Sequence, residues 1–430
     1  MTNAIIQKYL AGYAEKEAAH LTIQKSYEHS LIIPAKRETS SSLKAVWSRI
    51  PKQASLLVIV VINSSKANEE SETRLFDDLT KDKSKTELRK GIYFVAQANA
   101  PDLLIIDRFS ENRTISIRQG VGLARKIGSD IALQLYSSKY INSPWLRNTD
   151  ADAILPADYF DSEIMGVAGF LYPFIHPRSR IENNRDKGQR FQDHLATSLY
   201  DLSLLYYPAG LLWAGSPYAF PTIGSTLCCS AKAYAHVRGF PKRSTGEDFY
   251  LLNKLRKVGP IKPLDCSPIE LSSRHSTRVP IGTGQAIAKI SGLDNPIQEF
   301  EFEHPHCFVK LREFIKVLRK LAESSTTDLF HQDQTISLYT QTSGLERILE
   351  KLKEQTRPEI RLKFLMDWFD ALRTRQFIHH ARDMECGSLP FIELTRYFSF
   401  KKSSEAAIPL MRYQFANQIY KNNFAKTSSL

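Results

Sequence analysis

Two aspartates one residue apart follow a short apolar strand in Trp145-Leu146-Arg147-Asn148-Thr149-Asp150-Ala151-Asp152-Ala153. Open α/β sheets place their ligands at the carboxyl ends of strands. Two carboxylates at such an end can aim at one hard divalent cation, directly or through water, and leave room for substrate phosphates. The same short acidic pattern also occurs in ordinary surface turns. The sequence around it therefore decides whether this is a site.

The surrounding chain alternates short apolar runs with amphipathic stretches, which predicts a parallel or mixed sheet covered by helices. A helix over residues 122–135 is indicated by Leu123, Ile127, Ile131 and Leu135, which recur at helical spacing. Gly246 opens a second helix. The polar segment 66–90 is interpreted as a charged insertion or a long surface helix. Strands are predicted at residues 30–33, 56–62, 103–106 and 165–173.

Beyond about residue 300 the strand pattern gives way to helical periodicity. Residues 308–321 carry an apolar stripe with basic side chains beside it, which favours packing inside the protein. Contact with an anionic membrane surface is the alternative for this helix. The predicted organisation is an N-terminal helical extension (1–27), a sheet domain (28–300) and a mostly helical C-terminal region (301–430).

Bulk properties exclude several classes of protein. Of the 430 residues, 42% are hydrophobic and 24% charged, as in ordinary globular chains. The longest apolar runs, 56–62 and 202–213, are shorter than the roughly 20 residues that a membrane-spanning helix needs. The net charge is +12, but its basic residues are dispersed without interleaved aromatics, so no nucleic acid partner is predicted. Five irregularly spaced cysteines and a start without a signal pattern favour the cytoplasm, or peripheral placement at the inner face of a membrane.

Over residues 28–280, four motifs in order resemble the family 2 glycosyltransferases. A first strand ends in proline, as Ile32-Ile33-Pro34-Ala35-Lys36-Arg37-Glu38 does. Next come the helix Gly122-Leu123-Ala124-Arg125-Lys126-Ile127-Gly128 and the DXD motif of Asp150 and Asp152. Gly239-Phe240-Pro241 then leads into Gly246-Glu247-Asp248-Phe249-Tyr250-Leu251. The resemblance implies a nucleotide-diphospho-sugar transferase of the GT-A fold, a Rossmann-like mixed sheet flanked by helices.

The resemblance also implies roles for individual residues. Asp150 and Asp152 would hold Mn²⁺ or Mg²⁺, and Asp248 would be the general base of an inverting hexosyl transfer. Glu247 is the alternative base or a group that positions the acceptor. The expected donor is a UDP- or GDP-sugar, and the expected acceptor is a carbohydrate, a lipid-linked compound or a small molecule. Residues expected to contact the donor are Pro34, Ala35, Glu38, Asn63, Arg125, Asp150, Arg274 and Arg278.

Two positions depart from the family pattern. Asn63 follows the second strand where members usually have an acidic residue that meets the nucleobase, so the nucleotide is left open. Lys126 follows Arg125 where asparagine is common. This extra cation either assists phosphate binding or is solvated.

Downstream, Arg274, His275 and Arg278 lie within five residues. Arginine suits a diphosphate because its planar guanidinium can form two parallel hydrogen bonds. His275 resembles the third metal ligand of some related transferases, several of which retain configuration, so inversion and retention both remain open. The alternative for this segment is a basic surface loop.

Two other functions compete with sugar transfer. A nucleotidyltransferase acting on a sugar phosphate usually has a glycine-rich loop after its first strand, and Pro34-Ala35-Lys36-Arg37-Glu38 has no glycine. A non-catalytic binding protein of the same fold would not need both acidic motifs. The DXD motif and the Glu247–Asp248 pair are both present, which favours an enzyme.

Overall fold

A computed structural model describes residues 2–52, 54–81, 83–177, 187–272, 282–324 and 333–397. The chain divides into two compact units, Met1–Arg180 with Thr222–Gly282 and Ile181–Pro221 with Thr283–Leu430. The described strands are β1 (His29–Ala35), β2 (Leu56–Asn63), β3 (Lys85–Arg89), β4 (Ile92–Val95), β5 (Asp102–Arg108), β6 (Trp145–Asn148), β7 (Gly169–Leu171), β8 (Phe174–Ile175), β9 (Leu227–Ser230), β10 (Ile261–Pro263), β11 (Ile269–Glu270), β12 (Glu301–Glu303) and β13 (Ser388–Pro390). The described α-helices are α1 (Thr2–Gly12), α2 (Ser40–Val46), α3 (Glu70–Thr80), α4 (Gly120–Ser137), α5 (Lys187–Ala214), α6 (Ala231–His236), α7 (Glu247–Val258), α8 (Thr283–Ser291), α9 (Pro296–Glu299), α10 (Pro305–Glu323), α11 (Gln334–Ser343), α12 (Leu345–Lys351), α13 (Pro358–Trp368), α14 (Ala371–Ala381) and α15 (Phe391–Leu394).

The first unit is built on one mixed sheet. Within the described residues, nine strands pair in the order β10-β7-β9-β6-β1-β2-β5-β4-β3. The central strands β1, β2, β5 and β6 run parallel, while β9 joins β6 and β7 in antiparallel pairs. Every residue of β2 is buried, as expected for a parallel strand that is covered on both faces.

Helices cover both faces of this sheet. In β1, Leu31 and Ile33 face one side and pack with the apolar side chains of α2 and α3, including Leu43 and Leu75. Ile32 faces the other side, where α4 packs on β1, β2 and β6. The predicted α/β class, with a mixed sheet flanked by helices and a mostly helical C-terminal region, is confirmed.

Two local interpretations differ from the structure. The polar segment 66–90 is neither an insertion nor a single long helix, because it forms α3 and then β3, whose charged and mostly exposed residues make a sheet edge. Charged side chains on an edge strand discourage pairing with another chain. The predicted strand 165–173 is shorter, Gly169–Leu171, since Met165 is 76% exposed outside the sheet.

The N-terminal residues pack within the first unit. The Nζ of Lys126 donates to Asp130 Oδ2 (2.8 Å), to the Tyr9 hydroxyl (2.6 Å) and to the Tyr13 carbonyl (2.9 Å). The Tyr9 and Tyr234 hydroxyls both donate to Asp130 Oδ1. Lys126 is therefore neither solvated nor part of a phosphate site: it joins α1 to α4.

We expect Lys126→Met to lower the free energy of unfolding by about 3 kcal/mol, because it leaves the buried Asp130 carboxylate without its cation. Thermal and urea unfolding measure the change. The double variant Lys126→Met/Asp130→Leu should recover most of the loss, and Lys8→Met, an exposed lysine of α1, should change stability by less than about 0.5 kcal/mol. Equal stability of Lys126→Met and the native chain would contradict this role.

The second unit is helical and begins earlier than the predicted boundary at residue 300. Helix α5 packs with α8 and α10, and α10 packs with α13 and α14. The apolar stripe of α10 is buried in this core, with Leu311 and Phe314 fully enclosed. The apolar face of α10 is consequently covered by protein and does not present a surface to a membrane. None of the described helices is both long and apolar enough to cross one.

Candidate active site

The DXD motif lies at the carboxyl edge of the sheet. Asn148 ends β6 opposite Ile32 of β1, and the Thr149 amide donates to the Ile32 carbonyl at 3.0 Å. The chain then turns, with the Ala153 amide donating to the Asp150 carbonyl at 3.2 Å. This turn leaves the Asp150 side chain 39% exposed. A buried strand therefore delivers a partly exposed carboxylate to the edge where such folds bind ligands.

Arg125 joins the two acidic motifs. Its side chain, on α4, is only 2% exposed. Its Nη2 lies 2.6 Å from Asp150 Oδ1, and its Nε lies 3.1 Å from Glu247 Oε1. One guanidinium thus connects residues that are far apart in the chain, and a buried arginine between two carboxylates keeps its proton.

Ser225 is a site residue that sequence reasoning missed. It lies in the 3-10 turn Gly224–Thr226 before β9, and its Oγ donates to Asp150 Oδ2 at 2.5 Å. Its neighbour Gly224 allows the turn to approach Arg125, since a Cβ atom there would lie 2.5 Å from Arg125 Nη2. Both carboxylate oxygens of Asp150 are oriented in this way.

The second acidic pair begins α7. Gly246, with φ of 67°, occupies the left-handed region that glycine adopts readily, and the helix starts at the next residue. Glu247 is 5% exposed and is held by Arg125, whereas Asp248 is partly buried and its Oδ1 accepts from the Phe249 amide at 2.7 Å. The helix dipole favours both carboxylates at this end.

Electrostatics raise the pKa of both acids. Burial, together with repulsion from Glu247 and Asp150, raises the pKa of Asp248 to about 7. Burial also raises the pKa of Glu247, although the Arg125 guanidinium opposes that shift. The pair therefore contains a carboxyl group that can exchange a proton near neutral pH.

The residues predicted to contact the sugar donor at β1 and β2 lie near the carboxyl ends of these strands. Pro34 and Ala35 are buried near the end of β1, and Glu38 is 7% exposed with the Ser42 hydroxyl as one of its donors. Asn63 is buried at the end of β2. Its amide nitrogen donates to the carbonyls of Ala35 (3.1 Å) and Val61 (3.2 Å), so it ties β1 to β2 and leaves only its oxygen for a base or ribose.

Arg274, His275 and Arg278 lie outside the described residues. Among the residues that are described, no cluster of three histidine, cysteine or acidic side chains has the arrangement of a metal site. Asp150 and Asp152, the carboxylates of the DXD motif, are two residues apart in the chain, and both are partly buried.

A divalent cation nevertheless fits this donor set. Each carboxylate oxygen of Asp150 accepts one hydrogen bond, and a carboxylate offers about four lone-pair sites in total. Asp150, Glu247 and Asp248 interact electrostatically with a single guanidinium, so negative charge is in excess. Hard oxygen donors with excess negative charge are the kind that Mn²⁺ and Mg²⁺ prefer.

No family model and no curated protein matches the chain. Solved structures similar to it include TarS 1-349 from S. aureus in complex with UDP-GlcNAc, at 12% identity and a TM-score of 0.37, covering 77% of this chain and 92% of that one. Another is the mannosyltransferase PcManGT from Pyrobaculum calidifontis in complex with GDP-Man and Mn²⁺, at 13% identity and a TM-score of 0.34, covering 100% of this chain and 95% of that one. Likenesses at this level do not assign a function to the chain.

Proposed function

We propose that the chain is a metal-dependent glycosyltransferase of the GT-A type, similar to family 2, which moves a hexose from a UDP- or GDP-sugar to an acceptor hydroxyl. The observation that carries the proposal is the Arg125 bridge, with Asp150 on one side and Glu247 on the other. It brings the proposed metal-binding carboxylate and the acidic pair that contains the proposed base to the same edge of the sheet. A surface turn has no need of such a buried connection.

Asp248 is the proposed base. Its ionised carboxylate takes the proton from the acceptor hydroxyl while that oxygen forms a bond to the anomeric carbon of the donor. The bond from this carbon to the diphosphate oxygen breaks, and the nucleoside diphosphate leaves with the electron pair. A raised pKa makes the carboxylate a stronger base than an exposed aspartate, although half of it is protonated at about pH 7.

Arg125 and Glu247 are the proposed positioning and donor-binding pair. Glu247 holds the guanidinium from one side, which fixes the direction of the remaining N–H groups. The Nη1 of Arg125 is buried and has no hydrogen-bond partner among the described residues. Buried donors are normally satisfied, so an unsatisfied N–H in a site suggests a missing partner. An oxygen of the donor diphosphate would supply it.

Asp150 and Asp152 would hold Mn²⁺ or Mg²⁺, with His275, outside the described residues, as the proposed third ligand. When bound, the cation supplies Lewis-acid neutralisation of the charge that develops on the leaving diphosphate. The protein's contribution is orientation, because the Ser225 hydroxyl and the Arg125 guanidinium each hold one carboxylate oxygen of Asp150. Asn63, Pro34, Ala35, Glu38, Arg274 and Arg278 complete the proposed contacts with the donor.

Product analysis with a panel of nucleotide-sugars and Mn²⁺ tests this function. Sugar transfer or slow donor hydrolysis that releases nucleoside diphosphate is the expected result, and the anomeric configuration of the product decides between inversion and retention. Release of pyrophosphate from a nucleoside triphosphate and a sugar phosphate would establish the nucleotidyltransferase instead. Binding of the donor without turnover, whichever class of acceptor is supplied, would favour a non-catalytic binding protein of the same fold.

A further inference from the structure

Two cysteines of the second unit lie side by side. Cys307, in the first turn of α10, and Cys386 are 79 residues apart in the chain, yet their Sγ atoms are separated by 3.4 Å. Cys386 ends a π-helical turn, Arg382–Cys386, which follows α14. A disulfide bond is about 2.05 Å long, so the two sulfurs need to approach by only roughly 1.4 Å. Rotation of the side chains can supply such a movement.

The segments that carry these cysteines are joined on both sides of the thiols. Strand β12 pairs antiparallel with β13, with Glu303 opposite Ser388. His306 Nε2 lies 2.7 Å from Glu385 Oε2, and Arg382 lies 3.7 Å from Glu303. The strand pair and the ion pairs fix the backbone on both sides of the thiols and hold the two sulfur atoms next to each other. Groups held together in this way react with an effective concentration far above that of free reagents.

The two thiols differ in access to reagents. Cys307 is fully buried, whereas Cys386 is partly exposed. Burial raises the pKa of both thiols, so neither has the low pKa of a catalytic cysteine. An external disulfide would therefore react with Cys386 first and form a mixed disulfide. Cys307 is the thiol placed to attack that mixed disulfide.

We propose that Cys307 and Cys386 form a redox-active dithiol that exchanges with small-molecule disulfides. Cys386, after releasing its proton to solvent, attacks one sulfur of oxidised glutathione, and one glutathione leaves as the thiolate. Cys307, also deprotonated, then attacks Cys386 Sγ and displaces the second glutathione. Two protein thiols are oxidised to one disulfide while one glutathione disulfide is reduced to two thiols.

The cross-link would close a loop of 79 residues that includes most of the helices after α10. A disulfide stabilises a fold chiefly by restricting its unfolded chain, and the effect grows with loop length. The oxidised protein should therefore unfold at a temperature about 5–10 °C above that of the reduced protein. In a reducing compartment the pair stays as two thiols.

The test equilibrates the full chain with reduced and oxidised glutathione at a series of ratios, quenches with acid, alkylates and maps the peptides by mass. We expect a peptide that links Cys307 to Cys386 and a loss of 2 Da relative to the reduced chain, together with the rise in unfolding temperature. Cys386→Ser and Cys307→Ser should each abolish the link and the rise. Cys266→Ser, which changes a partly exposed thiol in the other unit, should leave both unchanged.

Three results would overturn the proposal. One is a chain that remains fully reduced at every ratio, and another is a stable glutathione adduct on Cys386 that Cys307 does not displace. The third is a link of equal yield in Cys386→Ser, which would place the disulfide elsewhere. Peptide mapping of the native sequence decides the first two, so the outcome does not depend on whether a variant folds.

Discussion

Replacing Arg125 with methionine should lower kcat/KM for sugar transfer by about 10²–10³-fold, since the buried guanidinium stabilises and orients charge in the site. The same change should lower the free energy of unfolding by about 3–5 kcal/mol, because Glu247 would stay buried without its cation. Steady-state kinetics below the unfolding temperature and urea titration measure the two effects separately.

Matched variants separate catalysis from stability. In Arg125→Met/Glu247→Gln the uncompensated buried charge is removed, so stability should return while activity remains low. Arg125→Lys keeps the charge but cannot bond Asp150 and Glu247 at once, and its loss should be intermediate. Arg118→Met, an exposed arginine just before α4, is the control and should retain activity. Near-native kcat/KM in Arg125→Met would contradict a role for the Arg125 bridge in sugar transfer.

Asp248→Asn should reduce kcat by about 10²–10⁴-fold, the usual contribution of a general base, while leaving donor binding nearly unchanged. The pH dependence supplies an independent signature. Because the base must be ionised and burial raises the pKa of Asp248 to about 7, kcat/KM of the native enzyme should rise about tenfold per pH unit below 7 and reach a plateau above it.

Glu247→Gln discriminates between the two candidate bases. If Asp248 is the base, Glu247→Gln loses activity through misplacement of Arg125, and the ionisation that controls activity persists but moves to lower pH, because the repulsion from Glu247 is gone. If Asp248→Asn stays active and Glu247→Gln loses the ionisation near pH 7, then Glu247 is the base. The assignment of Glu247 as the base is the alternative that the sequence left open.

The raised pKa also makes a prediction about stability. In the unfolded chain Asp248 returns to its usual pKa of 3.8, so the folded protein retains a proton that the unfolded chain releases. Stability should therefore fall as pH rises from about 4 to 7, and the penalty stays above pH 7. Asp248→Asn should raise the free energy of unfolding by about 1–3 kcal/mol at pH 8 and by almost nothing at pH 4. A stability gain independent of pH would contradict this origin.

The class of the fold could be predicted because its signals are local. The apolar run that forms β2 and the helical spacing in α4 indicate their elements directly. The order of Pro34, Arg125, Asp150 and Asp248 along the chain carried the resemblance to a transferase. These are statements about types and spacings of residues, which a single sequence contains.

The contacts within the site could not be predicted, because they depend on distant pairing. Ser225 reaches Asp150 only because β9 pairs with β6, and its Gly-Ser-Thr turn has no signal of its own. The sequence left phosphate binding and solvation open for Lys126, because its contacts with α1 and Asp130 depend on how distant segments pack. Likewise, α5 belongs with the C-terminal helices through packing that no local pattern specifies.

In the proposed enzyme, Asp150 holds a cation against a nucleotide-sugar beside the Arg125 bridge. Calorimetric titration of UDP- and GDP-sugars, with and without Mn²⁺, tests it in the native chain, in Asp150→Ala and in Asp161→Ala, an exposed aspartate that serves as the control. We predict Mn²⁺-dependent binding of at least one donor in the native and control proteins, and its loss in Asp150→Ala. Binding that is independent of Mn²⁺, or unchanged in Asp150→Ala, would contradict the account.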